Sequence, residues 1–121
     1  MKIGEFVEKI QSTKDTIRFY EELNLIDPIR KGDKREYTEK DMHDFYIIKE
    51  MESLGLTIRE IQTIFHLKRS AGFHSPSLLQ DAQDRLCTSI KKIERAEKEL
   101  SIRKMKLYCL LSKLENLHNR D

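Results

Sequence analysis

The C-terminal part of the chain carries a large apolar residue at every seventh position. This heptad row consists of Leu79, Leu86, Ile93, Leu100, Leu107 and Leu114. Seven residues make two turns of a gently supercoiled helix, so the row forms one apolar edge that faces a partner helix. The chain before the row is too short and too polar to supply a partner of equal length. We therefore predict a long helix that pairs with a second copy of the same chain, in a homodimer.

A second row lies beside the first on the same edge of this helix, and its residues change in size along the chain. In order, they are Ala82, Ser89, Ala96, Arg103, Leu110 and Leu117. In an antiparallel pair the large residues of one chain face the small residues of the other, whereas a parallel pair sets small against small. The gradient therefore favours an antiparallel coiled coil. Leu110 and Leu117 join the heptad row as predicted dimerisation residues.

The N-terminal half alternates short segments of helical apolar spacing with residues that start and stop helices. The spacing predicts four helices, over residues 3–10, 14–23, 39–53 and 58–67. The last three each follow a residue that can cap a helix N-terminus, namely Ser12 or Thr13, Thr38 and Thr57. Between the second and third helices, Gly32-Asp33 separates two short runs that indicate a β-hairpin.

This order of helix, break, helix, hairpin and helix is the layout of a winged helix-turn-helix. In that layout the second helix enters the major groove of DNA, and the hairpin, or wing, contacts the flanking backbone. We expect a mainly helical fold with a winged helix-turn-helix DNA-binding domain at 1–70, a linker at 71–75 and a coiled-coil dimerisation helix at 76–121. We expect no separate effector-binding domain beside these segments.

Positive charge is concentrated where such a fold meets DNA. The wing holds four cations within Arg30-Lys31-Gly32-Asp33-Lys34-Arg35, although the net charge of the chain is only +2. Arginine can bind guanine or a phosphate through paired hydrogen bonds, and we also expect the Tyr20 hydroxyl to donate to a phosphate oxygen. The predicted DNA-binding residues are Thr13, Lys14, Thr16, Arg18, Phe19 and Tyr20 in the second helix and its cap, and Arg30, Lys31, Lys34, Arg35 and Tyr37 in the wing.

Plainer interpretations stay open beside this one. Arg18 could pair with Glu21 or Glu22 on its own helix, and the wing cations could simply be solvated. The whole protein could also be an adaptor whose coiled coil recruits another protein while its head binds DNA weakly. An enzyme is disfavoured, because the sequence contains no nucleophile–base pair, phosphate-binding loop or metal motif.

Several short strings along the first 67 residues occur together at characteristic distances. They are Ile3-Gly4-Glu5, Thr16-Ile17-Arg18-Phe19-Tyr20-Glu21-Glu22, Leu25-Ile26 with Pro28, Arg35-Glu36-Tyr37-Thr38, Asp41, and Leu54-Gly55-Leu56-Thr57-Ile58 followed by Glu60-Ile61. In these strings the chain resembles the MerR family of bacterial transcription regulators. The resemblance implies a homodimer with an antiparallel coiled coil, bound to a palindrome in double-stranded promoter DNA. It also implies regulation by distortion of that DNA, through which RNA polymerase is affected indirectly.

Two positions depart from the family pattern. Members usually have glycine in the turn before the second helix, where this chain has Gln11. Side chains other than glycine are disfavoured at positive φ, so the shape of this turn is in question. Members also often carry an aromatic residue before the wing arginine and a wing one residue longer, whereas here Lys34 precedes Arg35.

The sequence indicates neither a cofactor nor a metal site. Cys87 and Cys109 would lie about 33 Å apart on one helix, too far for a disulfide within the chain. Metal-sensing members of the resembling family place further cysteines in a loop after the dimerisation helix, and none follows Cys109. An unidentified small-molecule effector would have to bind at the coiled coil or between coil and head.

The chain also lacks the sequence features of membrane and secreted proteins. No apolar run reaches the roughly 18 residues that a membrane span needs, and the N-terminus has no basic segment followed by an apolar one. We therefore expect a cytoplasmic protein without a membrane partner.

Overall fold

The computed structural model describes residues 1–70 and 75–120 and confirms a mainly helical fold. Its elements are α1 (Ile3–Lys9), α2 (Lys14–Glu22), β1 (Ile29–Lys31), β2 (Lys34–Glu36), α3 (Glu39–Ser53), α4 (Ile58–Arg69) and α5 (Pro76–Asn119). The chain divides into two compact units, Met1–Leu79 and Gln80–Asp121. The predicted linker at 71–75 falls, except for Ser75, outside the described residues.

Threonine side chains cap the N-termini of three of the four helices of the head, α2, α3 and α4, as the sequence predicts. Thr13 precedes α2, and its hydroxyl oxygen accepts a hydrogen bond from the backbone N–H of Thr16. Thr38 and Thr57 form capping boxes with Asp41 and Glu60, in which side chain and backbone bond each other in both directions. These bonds satisfy N–H groups that have no partner within a helix.

Two turns around α2 use a left-handed backbone. Gln11 has φ +55° and Asn24 has φ +58°. Asparagine tolerates this conformation, so Asn24 fits the turn that follows α2. Gln11 takes the same conformation without being glycine, so the turn keeps the left-handed geometry despite the departure from the family pattern.

The wing is a two-stranded antiparallel hairpin that turns at Gly32-Asp33. Gly32 has φ +62°, a conformation that glycine adopts without a steric penalty. The register pairs Arg30 with Arg35 and Lys31 with Lys34. Two successive cross-strand pairs therefore hold like charges opposite each other, which is unfavourable without an anion nearby.

The hydrophobic core of the head is built from all four of its helices, from the turns that follow α1 and α2, and from the residue that follows the wing. The Tyr37 ring stacks on Phe6, with centroids 4.7 Å apart, and so attaches the end of the wing to α1. The Met1 carbonyl also accepts a hydrogen bond of 2.7 Å from the Tyr37 backbone N–H. The buried hydrophobic residues are Phe6, Ile10, Ile17, Tyr20, Leu25, Ile26, Tyr37, Phe45, Ile48, Ile61 and Phe65.

Helix α4 ends two residues later than predicted, because Arg69 has partners that the sequence alone does not reveal. Its guanidinium donates hydrogen bonds to the carbonyls of Asn24 and Leu25, the latter at 2.8 Å. It also lies 3.8 Å from the buried Asp44 carboxylate and 5.2 Å from the centre of the Phe65 ring. These contacts join the last turn of α4 to the turn after α2.

Helix α5 has 44 residues, which corresponds to about 66 Å at 1.5 Å per residue. The residues of the heptad row are 37% to 63% exposed, and no residue of α5 is buried. Ile90 and Leu111, which lie outside both rows, are also about half exposed. None of the helices in the described part of the chain is both long enough and apolar enough to span a membrane.

Candidate nucleic-acid interface

The burial of one face of α2 determines which side chains the helix exposes. Ile17 and Tyr20 are buried, so the residues between and before them face away from the core. Lys14 and Arg18 are exposed, and Phe19 is 48% exposed. The exposed face therefore combines two cations with an aromatic ring.

Arg18 forms no side-chain hydrogen bond or ion pair with any residue that the structure describes. The plainer interpretation required it to pair with Glu21 or Glu22. Glu21 is instead bound by Arg35 and by the hydroxyl of Tyr37. The structure thus leaves the donors of Arg18 available for an external acceptor.

Thr13 and Thr16 lie together at the N-terminus of α2. Their hydroxyl oxygens are 2.9 Å apart, and Thr13 also accepts the backbone N–H of Thr16. Thr13 therefore acts as a helix cap, and Thr16 is half-buried beside it. Contact of either threonine with DNA stays a prediction.

Tyr20 and Tyr37 belong to the core rather than to the exposed surface. The Tyr20 hydroxyl donates to Glu52 at 2.7 Å, and the Tyr37 hydroxyl donates to Glu21. In the single chain the buried Tyr20 ring thus directs its hydroxyl to a carboxylate of α3. Burial, the hydrogen bond and the nearby charge together raise the pKa of both tyrosines. Contact of either tyrosine with DNA stays a prediction.

The wing brings its cations to the surface, as the sequence predicts. Arg30, Lys31, Lys34 and Arg35 are all exposed. Arg30 and Lys34 make no side-chain hydrogen bond or ion pair within the described ranges 1–70 and 75–120. At the base of the wing, the Met1 ammonium donates to Glu36 at 2.6 Å, and this bond is the main reason why the pKa of Glu36 is lowered.

A notch of about 220 Å³ lies between α2 and the wing. We call it the arginine notch, since its walls carry three arginines and two glutamates, namely Arg18, Arg30, Arg35, Glu21 and Glu22. The structure therefore brings together residues that lie up to 17 positions apart in the sequence. The sequence does not reveal Glu21 as part of this site, because no local pattern indicates its bonds to Arg35 and Tyr37.

The cysteines lie on the surface of α5. Cys87 and Cys109 are free and exposed. Among the described residues, no group of three or more His, Cys, Asp or Glu side chains could hold a metal ion.

Comparison with known proteins identifies the family. Residues 1–68, more than half of the chain, match the family described as MerR HTH family regulatory protein. The chain belongs to the MerR family. Its head contains the helix-turn-helix and wing of this family, with the arginine notch between them.

Relatives in the MerR family cover both halves of the chain. The HTH-type transcriptional regulator HmrR of Rhizobium leguminosarum is 30% identical over 84% of this chain and 76% of its own length. The mercuric resistance operon regulatory protein of Bacillus cereus is 37% identical over 52% of this chain, and the match spans about half of that relative, 49%. A solved structure assigned to a MerR family regulator of Listeria monocytogenes covers 98% of this chain and 95% of its own, with 28% identity and a TM-score of 0.70.

These likenesses extend through the long helix as well as the head. MerR family proteins are transcription regulators that bind promoter DNA. This chain is accordingly a DNA-binding transcription regulator, and its relatives are not enzymes.

Proposed function

We propose that this protein binds a palindromic promoter element as a homodimer and regulates transcription by distorting the DNA between its two heads. The observation that supports this most strongly is the exposed apolar edge of α5. Residues 1–70, 71–75 and 76–121 would serve as DNA-binding domain, linker and dimerisation helix. Bacterial promoter DNA lies in the cytoplasm, so we propose the same location for the protein.

The dimer is supported by the two apolar rows of α5. In the single chain, Leu100, Leu107 and Leu114 are each more than half exposed. Burial of one such side chain stabilises a protein by about 1.5–3 kcal/mol, so a pair of helices that covers both rows gains substantially. The size gradient from Ala82 to Leu117 supports an antiparallel arrangement of the two helices.

DNA binding is proposed to involve α2 and the wing together. Lys14, Arg18 and Phe19 would face the groove, while the wing cations would contact backbone phosphates. The like-charge pairs across the wing support this, because an anionic backbone would relieve their repulsion. Phosphate contacts release counterions, so affinity should fall steeply as salt concentration rises.

The effect on transcription is proposed to come from the shape of the bound DNA. Bending or untwisting a duplex costs free energy that depends on its sequence, and two heads at a fixed separation can impose that change. RNA polymerase would then respond to the DNA and need not contact this protein. Binding of an unidentified small-molecule effector stays a hypothesis. The proposed DNA binding does not require it.

The function is tested by selecting duplexes from a pool of random sequence with the full-length protein, followed by footprinting. We expect enrichment of a two-fold symmetric sequence and a footprint of the same symmetry. A fluorescence measurement of end-to-end distance in the selected duplex should also change on binding. Enrichment of no sequence, together with capture of a stoichiometric protein partner by the full chain, would favour the adaptor alternative.

A further inference from the structure

A nearly buried carboxylate lies inside the arginine notch. The Glu21 side chain is only 6% exposed. Its Oε1 accepts a hydrogen bond from the buried Tyr37 hydroxyl, and its Oε2 lies 3.5 Å from Nε of Arg35. A negative charge at this place repels DNA phosphates. It can aid DNA binding only if it holds the surrounding cations where they attract those phosphates more strongly.

The way in which Arg35 meets Glu21 leaves part of its guanidinium free. Arginine has five N–H donors, and here Nε faces the Glu21 carboxylate. The two terminal amino groups form no other ion pair or hydrogen bond in the described part of the chain, and the side chain is 43% exposed. One guanidinium can therefore bind Glu21 on one side and a second oxyanion on the other.

Arg18 and Arg30 line the same notch, and neither is engaged by a described residue. Helix α2 and the wing thus each place an unpaired arginine at the arginine notch. A phosphate group of the DNA backbone has the charge and the acceptor oxygens to bind Arg18 together with a wing arginine, and Arg35 is the wing arginine that Glu21 holds next to α2.

We propose that Glu21 is a positioning residue for DNA binding, which holds Arg35 toward α2 so that Arg35 and Arg18 bind one backbone phosphate in the arginine notch. This inference rests on the proposed function. It adds that an acidic residue aids the binding of an acidic ligand, by fixing the wing arginine against the recognition helix.

Charge and position make opposite predictions for Glu21, which makes the inference testable. Replacement of Glu21 by glutamine removes a negative charge next to the DNA, which by charge alone should strengthen binding. Glutamine still accepts a hydrogen bond from Tyr37, but it no longer attracts Arg35 as an ion. Loss of positioning should therefore weaken binding.

The experiment measures the affinity of full-length Glu21→Gln for the duplex that the wild-type protein selects. Glu22→Gln is the matched control, because Glu22 is exposed, lines the same notch and has no side-chain partner among the described residues. We expect Glu21→Gln to bind about tenfold more weakly and Glu22→Gln to bind at least as tightly as wild type. Circular dichroism of each variant verifies that the head is folded.

Arg35 provides a second test that does not alter the buried carboxylate. Arg35→Lys keeps the charge but replaces the planar fork by a single ammonium, which does not bridge Glu21 and a phosphate in the same way. We expect Arg35→Lys to bind at least fivefold more weakly. In an Arg35→Ala background, Glu21→Gln should cause no further loss.

The outcomes separate this inference from the proposed function. Tight binding by folded Glu21→Gln, equal to or stronger than wild type, would overturn the positioning role and leave the function intact. Wild-type affinity of Arg35→Lys would overturn it too, and this result decides the matter if Glu21→Gln does not fold. Failure of the wild-type protein to enrich any duplex would overturn the proposed function, and this inference with it.

Discussion

Arg18 shows how far a single residue can be understood from its surroundings. Its place in α2 follows from the sequence, because burial of Ile17 and Tyr20 leaves the two residues between them, Arg18 and Phe19, on the exposed side of the helix. That Arg18 lacks a partner does not follow from the sequence, since Glu21 and Glu22 both lie within reach along the helix. Only the fold shows that Glu21 is bound by Arg35 and Tyr37.

We expect Arg18→Ala to lose specific DNA binding while the protein stays folded and dimeric. An arginine that binds a base or a phosphate through paired hydrogen bonds contributes about 1–3 kcal/mol, so affinity should fall at least about tenfold. Gel-shift titration with the selected duplex measures this. Arg95→Ala, which removes an exposed arginine outside both rows of α5, is the control and should bind as wild type does. Equal affinity of Arg18→Ala and wild type would refute the assignment of α2 as the recognition helix.

The two buried tyrosines make the head sensitive to alkaline pH. Desolvation and the neighbouring carboxylates raise the pKa of Tyr20 and Tyr37 in the folded protein. A raised pKa in the folded state contributes stability that is complete below the unfolded value of about 10 and is lost as pH rises above it. The free energy of unfolding of the head should therefore fall above about pH 10. Urea titrations followed by circular dichroism measure it.

Tyr37→Phe isolates the contribution of one of these groups. Its free energy of unfolding should decline less between pH 7 and 11 than that of the wild-type protein. The comparison concerns the slope with pH, because the variant also loses the hydrogen bond to Glu21 at neutral pH. A decline as steep as that of the wild-type protein would show that the pKa of Tyr37 is not raised in the folded protein.

At the scale of elements, the sequence predicts what local chemistry controls. Thr38 and Thr57 indicate where α3 and α4 begin, because capping bonds reach only three residues along the chain. Gly32 and Asn24 likewise indicate their turns. The end of α4 depends on the contact of Arg69 with Asn24, and the position of the wing depends on the contact of Tyr37 with Phe6. Each contact joins residues more than thirty positions apart, so no local sequence pattern predicts it.

Arg69 offers a test of one such long-range attachment. We expect Arg69→Ala to lower the free energy of unfolding of the head by about 1–3 kcal/mol, because it removes hydrogen bonds to two carbonyls and the counter-ion of buried Asp44. Lys68→Ala, at the exposed neighbouring position, should change it by less than about 0.5 kcal/mol. Chemical unfolding of both variants makes the comparison. Equal effects of the two substitutions would mean that the Arg69 contacts do not stabilise the head.

At the scale of the whole molecule, the proposed function depends on the pairing of two α5 helices. The heptad row is a property of the sequence, and the structure shows its side chains exposed on a continuous helix. Burial of these side chains requires a partner helix. The partner helix must be the α5 of a second copy if the molecule is to present two heads to a symmetric DNA site.

Sedimentation equilibrium of the full chain at micromolar concentration, beside Leu100→Glu and its neighbour control Ser101→Glu, tests this claim most directly. We expect wild type and Ser101→Glu to have twice the single-chain mass of 14.4 kDa, and Leu100→Glu to dissociate at least tenfold more readily. A wild-type protein found only at 14.4 kDa would contradict the account.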